Sequence, residues 1–182
     1  MEALKPIANY DAIVKIFYQK IKEVSELPEG FVLNKSTANG ADLIKVINDV
    51  SKAYAYTDSF LLFDVSTDTD SNGIITTEKN NTVSTIADFK TTLNIYGNSS
   101  FVLAQKILAR FQTEETKSEF REKGIWVKNL IFPETVKEFV NNTLWVRQDI
   151  RINFTVRFNF NKLFDVGDFA SNALTGLQIN TF

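Results

Sequence analysis

The chain has 182 residues, of which 44% are hydrophobic and 23% charged, and its formal net charge is −2. This length suits a single domain with a substantial core, and the near-neutral charge excludes a global basic field that would hold nucleic acid. Cysteine and histidine are both absent, which excludes disulfides, thiol nucleophiles, serine–histidine–aspartate triads and the usual zinc, copper and haem sites, so we expect no cofactor.

The first third of the chain predicts helices. Asn9 can cap a helix of period near 3.6 that ends at Pro28 and Gly30. Its apolar positions are Ile13, Val14, Ile16, Phe17, Ile21 and Val24. A second helical pattern follows Gly40, over residues 41–54. Because no apolar run approaches about eighteen residues and the N-terminus lacks a signal-peptide pattern, we expect an intracellular chain without a membrane partner.

The middle of the chain predicts strands. Residues 60–66 form an apolar run, and Asn72-Gly73 is a strong hairpin signal. A β-rich stretch then covers residues 74–96, with a polar interruption at 78–81. Its last part alternates, and the positions predicted to face the core are Ala87, Phe89, Thr91, Leu93 and Ile95.

Two helices and one strand are predicted next. Residues 97–99 break the preceding strand and cap a helix. The apolar stripe of that helix is Phe101, Ala104, Ile107, Leu108 and Phe111. A short charged helix covers residues 113–123 and ends at Gly124, and a strand over residues 124–131 is expected to end at Pro133.

The longest regular pattern lies near the C-terminus. Between residues 150 and 160 the chain alternates between two faces. The apolar positions are Ile150, Ile152, Phe154, Val156, Phe158 and Phe160. Such alternation predicts a long strand in an antiparallel sheet that covers a core, and hence an α+β fold. We predict one domain over residues 1–163 and a C-terminal arm over residues 164–182.

Two short motifs suggest metal chemistry, and both have simpler interpretations. Residues 68–73 match the opening of a calcium loop, but Lys79 stands where the loop needs a glutamate, and the hairpin explains the same residues. Asp88 and Lys90 share a strand face and could join Asp64 in a Mg²⁺-dependent nuclease site. Alternating charges on a solvent face also produce this pattern, so we predict no metal site and keep the nuclease as an alternative.

Three arginines, Arg147, Arg151 and Arg157, lie on or near the polar face of the long strand. They are either ordinary solvated side chains or part of a subunit interface, where arginine is enriched. The strand is longer than most strands of globular domains. We therefore predict these three residues as candidates for an oligomer interface, with no catalytic or cofactor-binding residue.

Residues 83–160 contain an ordered set of features. These are Asn94-Ile-Tyr-Gly97, the helical residues 101–109, a glycine-centred turn within residues 120–127, and Trp145-Val-Arg147 before the long strand. The order of these features resembles that of the phage neck terminator proteins, a family of tail terminators of tailed bacteriophages.

The resemblance implies a mixed, mostly antiparallel sheet flanked by helices. It also implies a virion structural protein that is not an enzyme, forms a homohexamer ring, caps the tail tube and joins the tail to the head. Its implied partners are the tube, the sheath if the tail is contractile, and neck or connector proteins, after synthesis in the host cytoplasm. Another head–tail connector, either a stopper or a tail completion protein, is the alternative of the same class.

Overall fold

The computed structural model describes residues 5–35, 59–68, 75–79, 82–140 and 143–161. These residues form one mixed β-sheet with helices packed on one face, so the α+β prediction is confirmed. The helix predicted over residues 41–54 and the C-terminal arm over residues 164–182 lie outside the described residues.

The described helices are α1 (Tyr10–Ser25), α2 (Ser100–Gln112) and α3 (Glu114–Glu122). The cap predicted for α1 is confirmed, since the Asn9 side chain accepts a hydrogen bond from the Ala12 amide at 2.9 Å. The end of α1 differs from the prediction, because Glu26 adopts a left-handed conformation (φ 55°) before Pro28 is reached.

The described strands are β1 (Pro6–Ile7), β2 (Val32–Asn34), β3 (Phe60–Thr67), β4 (Ile75–Lys79), β5 (Thr82–Tyr96), β6 (Ile125–Val140) and β7 (Thr143–Asn161). β5 pairs with β7 along its whole length, and β3 and β4 pair with successive halves of its other edge. β6 and β1 pair with the far edge of β7, and β2 pairs with β3. The β1–β7 and β2–β3 pairs are parallel and the others antiparallel.

The hairpin predicted at Asn72-Gly73 falls on residues outside the described ranges. The strands on either side of it, β3 and β4, both run antiparallel to β5 and therefore run in the same direction, so these two strands do not form the predicted hairpin with each other. The antiparallel neighbours are instead β4 and β5, where Lys79 pairs with Thr82.

The strand end predicted at Pro133 is also wrong. β6 continues through Pro133 to Val140, and the pairing with β7 shifts register between Ile131 and Glu134. Proline lacks an amide donor, but a bulge on an edge strand tolerates it because no ladder hydrogen bond is needed there. Among the described residues β6 pairs only with β7.

The core lies between the helices and the alternating apolar positions of β3, β5 and β7. Ile152, Phe154 and Val156 are each 0% exposed, as the alternation predicts. Phe17 of α1 packs against three aromatic rings, those of Phe111, Phe120 and Phe154. The prediction that Phe101 belongs to the core stripe of α2 is wrong, since Leu103 is buried instead and Phe101 is 56% exposed.

Candidate functional site

The second face of the sheet, which we call the outer face, points away from the helices. It carries the positions of β5 and β7 that alternate with the core positions, because successive strand side chains point to opposite faces. All three predicted interface arginines lie on it. The structure gives each of them a different environment.

Arg147 is held by an ion pair within its own strand. Its Nε donates to Oδ1 of Asp149 at 2.7 Å, and a terminal nitrogen donates to Oδ2 at 2.8 Å. Asn94 donates to the same Oδ1 at 2.7 Å, and the Arg147 guanidinium lies 5.9 Å from the centre of the Tyr96 ring. Burial lowers the pKa of Arg147, but the bonds to Asp149 outweigh burial and raise that pKa above its ordinary value.

Arg157 has only uncharged partners among the described residues. Its Nε donates to the Asn159 side-chain oxygen at 3.2 Å, and a terminal nitrogen donates to the Ser84 hydroxyl at 2.9 Å. The Ser84 hydroxyl donates in turn to Asn159 at 2.8 Å. The guanidinium is therefore held in place while its charge stays unneutralised by these partners.

Arg151 is the most accessible of the three. It is exposed, and within the described ranges it forms no ion pair. Its neighbours across the strands are Thr92 on β5 and Ile131 on β6, and Ile131 is itself 44% exposed. A cation beside an exposed branched side chain is typical of a protein–protein contact surface. We call Arg151, Arg157 and Ile131 the outer-face patch.

The residues of the nuclease alternative share the outer face but do not form one site. Asp88 accepts from Lys128 at 2.7 Å and from the Thr155 hydroxyl at 2.6 Å, while Lys90 pairs with Asp68 at 3.8 Å. Asp64 lies opposite Thr92, four residues along β5 from Asp88 and thus about 13 Å away along the strand. One divalent ion cannot bridge carboxylates at that separation.

Metal-binding geometry is also missing elsewhere in the described ranges. They contain no cluster of three or more acidic side chains that could hold an ion. Of the calcium-loop match, only Asp68 lies within these ranges, and it contacts Lys90.

Among the described residues, no helix has the length and apolarity needed to cross a membrane.

The β6–β7 hairpin extends beyond the rest of the sheet, a feature that the sequence did not predict. The last β5 pair joins Tyr96 to Arg147, and Gly97 then donates to the Val146 carbonyl at 3.3 Å. Past this point β6 and β7 pair, among the described residues, only with each other, from Lys137–Val146 to Val140–Thr143. We call residues 137–140 and 143–146 the hairpin arm. Leu144 on this arm is 52% exposed.

Comparison with known proteins assigns the chain to a family. The family model described as phage neck terminator protein matches residues 11–180. A search of curated proteins found no match. Because the family model spans nearly all of the sequence, the chain belongs to the phage neck terminator proteins, which are structural proteins of the bacteriophage virion that act at the tail and neck and interact there with tail and head proteins.

Proposed function

We propose that this protein forms a ring, six copies by the family resemblance, that stops growth of the tail tube and joins the tail to the head. The observation that carries the proposal is the hairpin arm, residues 137–140 and 143–146, which extends past β5 with no third strand among the described residues. A two-stranded ribbon is marginally stable in water by itself. A neighbouring subunit would cover it and supply the missing contacts.

The outer-face patch offers the other surface for the same contact between subunits. A ring is built from heterologous interfaces, in which one surface of a subunit meets a different surface of the next. The patch offers Arg151 and Arg157, whose charges no described carboxylate neutralises, beside the exposed Ile131. The hairpin arm and the patch are different surfaces of one chain, as head-to-tail assembly requires. Arg147 contributes less, because Asp149 already holds it.

The C-terminal segment, residues 176–182, belongs to the proposal as an exchange arm that adds main-chain hydrogen bonds across the ring. It lies outside the described residues, and its proposed role rests on the general use of exchanged strands to join neighbouring subunits. Truncation before residue 176 should lower the oligomer mass. A truncated chain whose ring has an unchanged subunit number would remove the segment from the proposal.

The ring is tested by measuring the mass of the purified chain in solution by light scattering after size exclusion. We expect a species of several chains of 20.7 kDa each, and we expect Arg151→Glu and Leu144→Asp each to shift it toward the monomer. Lys15→Glu is the matched control, since Lys15 is an exposed cation on α1, in the helical layer. A chain that stays monomeric both alone and on purified tail tubes would overturn the ring.

The joining role is tested with tails assembled without this protein. Such tails should grow past their normal length and fail to bind heads, and added protein should cap the tube and restore head binding. Binding to the head connector without binding to the tube would favour the stopper alternative. Tubes of normal length in the absence of the protein would contradict the terminator role.

A further inference from the structure

The hairpin arm leaves the sheet at a single row of paired residues, one from each of four strands. Phe60 of β3 lies opposite Tyr96 of β5, and Tyr96 lies opposite Arg147 of β7. Arg147 in turn lies opposite Val136 of β6. Among the described residues only β6 and β7 continue beyond this row. The row is therefore the base of the hairpin arm.

The main chain alone holds the arm weakly at this base. Beyond the row, the described main-chain bond between the arm and the end of β5 is the one from the Gly97 amide to the Val146 carbonyl, at 3.3 Å. The register of β6 also shifts between Ile131 and Glu134, just before the base, and such a bulge bends and twists a strand. A two-stranded ribbon is only marginally stable by itself, so its direction needs further contacts.

Side chains on the outer face supply contacts that cross the strands at the base. Asp149 of β7 lies opposite Asn94 of β5 and accepts its hydrogen bond at 2.7 Å. The Arg147 guanidinium, paired with Asp149, lies 5.9 Å from the centre of the Tyr96 ring. The Tyr96 ring stacks on that of Phe60, with centres 4.6 Å apart and planes 3° apart. The contacts thus run from β7 through β5 to β3.

The geometry of these contacts fixes orientation as well as distance. The planar guanidinium of Arg147 donates to both oxygens of Asp149, and a two-point bond of this kind permits one orientation of the pair. Phe60 and Tyr96 are buried, and the Arg147 side chain is only 21% exposed. Most of the surface of Arg147 is therefore used within its own chain and not left for a neighbour.

A fixed direction matters because a ring closes only if every subunit contact repeats the same rotation, whereas contacts that do not close give open assemblies. The arm extends four residues beyond its base, which is about 13 Å, so a swing of about 15° would move its tip by about 3 Å. Closely packed side chains do not stay in register across a displacement of that size.

We propose that Arg147 is a positioning residue that, with Asn94 and Asp149, fixes the direction of the hairpin arm and thereby the number of subunits in the ring. The subunit number rests on the ring proposed above, but the direction of the arm is a property of one chain. In this proposal Arg147 acts through the arm and makes no contact with the neighbouring subunit.

The direction of the arm is measured in the monomer by double electron–electron resonance between two spin labels. The labels are attached at Leu144→Cys on the arm and Lys15→Cys on α1, and the chain has no other cysteine. We expect one narrow distance distribution. Asn94→Ala separates Asp149 from β5 but leaves the ion pair in place, and should widen the distribution about twofold.

Arg147→Gln should widen the same distance distribution by a similar factor. Glu119→Gln is the matched control, because it removes an ion pair between α1 and α3 and so lowers stability without touching the base of the arm. Its distribution should keep the width of the unchanged chain, and circular dichroism shows that each variant is folded. Unchanged widths in both Asn94→Ala and Arg147→Gln would overturn the proposal, as would equal widening in Glu119→Gln.

Native mass spectrometry of the unlabelled chains then counts subunits. The unchanged chain and Glu119→Gln should each give a single subunit number, and Arg147→Gln should give a mixture of numbers. An unchanged single number in Arg147→Gln would overturn its role in ring closure, and complete dissociation into monomers would show instead that Arg147 contacts the neighbour. If the unchanged chain forms no ring, the ring proposal fails, but the distance distributions still decide whether these residues fix the arm.

Discussion

Arg147 and Asp149 form a two-bond ion pair on the outer face of β7, with nitrogen–oxygen distances of 2.7 and 2.8 Å. Both side chains are mostly buried, at 21% and 25% exposure. Arg151, two residues further on, is exposed and has no such partner among the described residues. The sequence does not distinguish these two arginines, but the structure does. Arg147 stabilises the fold through its ion pair, whereas Arg151 is available to a partner.

Arg147→Ala should lower the free energy of unfolding by about 1.5 kcal/mol, because it leaves Asp149 partly buried without its cation. Arg151→Ala should change that free energy by less than about 0.5 kcal/mol and act on assembly instead. Urea unfolding of both variants, followed by circular dichroism under conditions where the chain is monomeric, measures the difference. Equal losses of stability would contradict the division.

Phe17→Ala should be among the most destabilising single changes in the chain. The ring is 0% exposed, and its centre lies 4.6 Å from that of Phe154 and 5.0 Å from that of Phe120. Loss of a buried phenylalanine costs about 4 kcal/mol through lost transfer energy and a cavity. Phe101→Ala, a change at an exposed position of α2, is the control and should cost less than about 0.5 kcal/mol by the same urea titration.

Lys20 joins α1 to α3 and should make stability depend on pH. The Lys20 side chain is 5% exposed, and its ammonium donates to Glu119 at 2.6 Å and to Glu23 at 3.1 Å. Burial lowers the pKa of Lys20, but the bonds to these carboxylates outweigh it and raise that pKa. The same bond from Lys20 lowers the pKa of Glu119 below its ordinary value.

A lowered pKa of Glu119 in the folded chain fixes the sign of the effect. Ionised Glu119 contributes to the free energy of unfolding at pH values above its unfolded pKa of about 4.3. That contribution is lost as the pH falls through the lower pKa of the folded chain. Glu119→Gln should therefore cost about 1 kcal/mol at pH 7, a modest figure because Glu119 is 38% exposed. Below pH 4 the difference from the unchanged chain should shrink. A difference that stays constant down to pH 3 would contradict this linkage.

The features that the sequence predicted correctly are those that depend on residues close together in the chain. Asn9 caps α1 as predicted, because its side chain accepts a hydrogen bond from the Ala12 amide in the first turn. The alternation of β7 also placed its core face correctly, since only one strand register buries Ile152 and Phe154. The family resemblance, resting on residues 83–160, was confirmed by a match that extends over residues 11–180.

The features that the sequence did not predict depend on distant parts of the chain. A proline ends a strand only where the sheet needs a hydrogen bond from the missing amide. Because β6 lies at the edge of the described sheet, no such bond is needed at Pro133. Asn72-Gly73 has the composition of a hairpin turn, but β3 and β4 both pair with β5.

Gly124→Ala tests how closely β1 packs against the turn between α3 and β6. Gly124 has φ +86°, and an added Cβ would overlap the backbone carbonyl oxygen of Lys5 and approach Ile7 Cγ1 to 3.0 Å. The left-handed backbone alone costs an L-residue about 1 kcal/mol, and displacing β1 from β7 adds to that cost. We expect a total loss of about 2 to 3 kcal/mol in urea unfolding.

Gly30→Ala separates the two contributions to that loss. Gly30 has almost the same φ, +84°, but an added Cβ there meets no atom of the described residues within 4 Å. Gly30→Ala should therefore lower the free energy of unfolding only by the backbone contribution of about 1 kcal/mol. Because the backbone angles match, the excess loss in Gly124→Ala measures the contact with Lys5 and Ile7. Equal losses at the two glycines would mean that β1 moves aside freely and contributes little to the sheet.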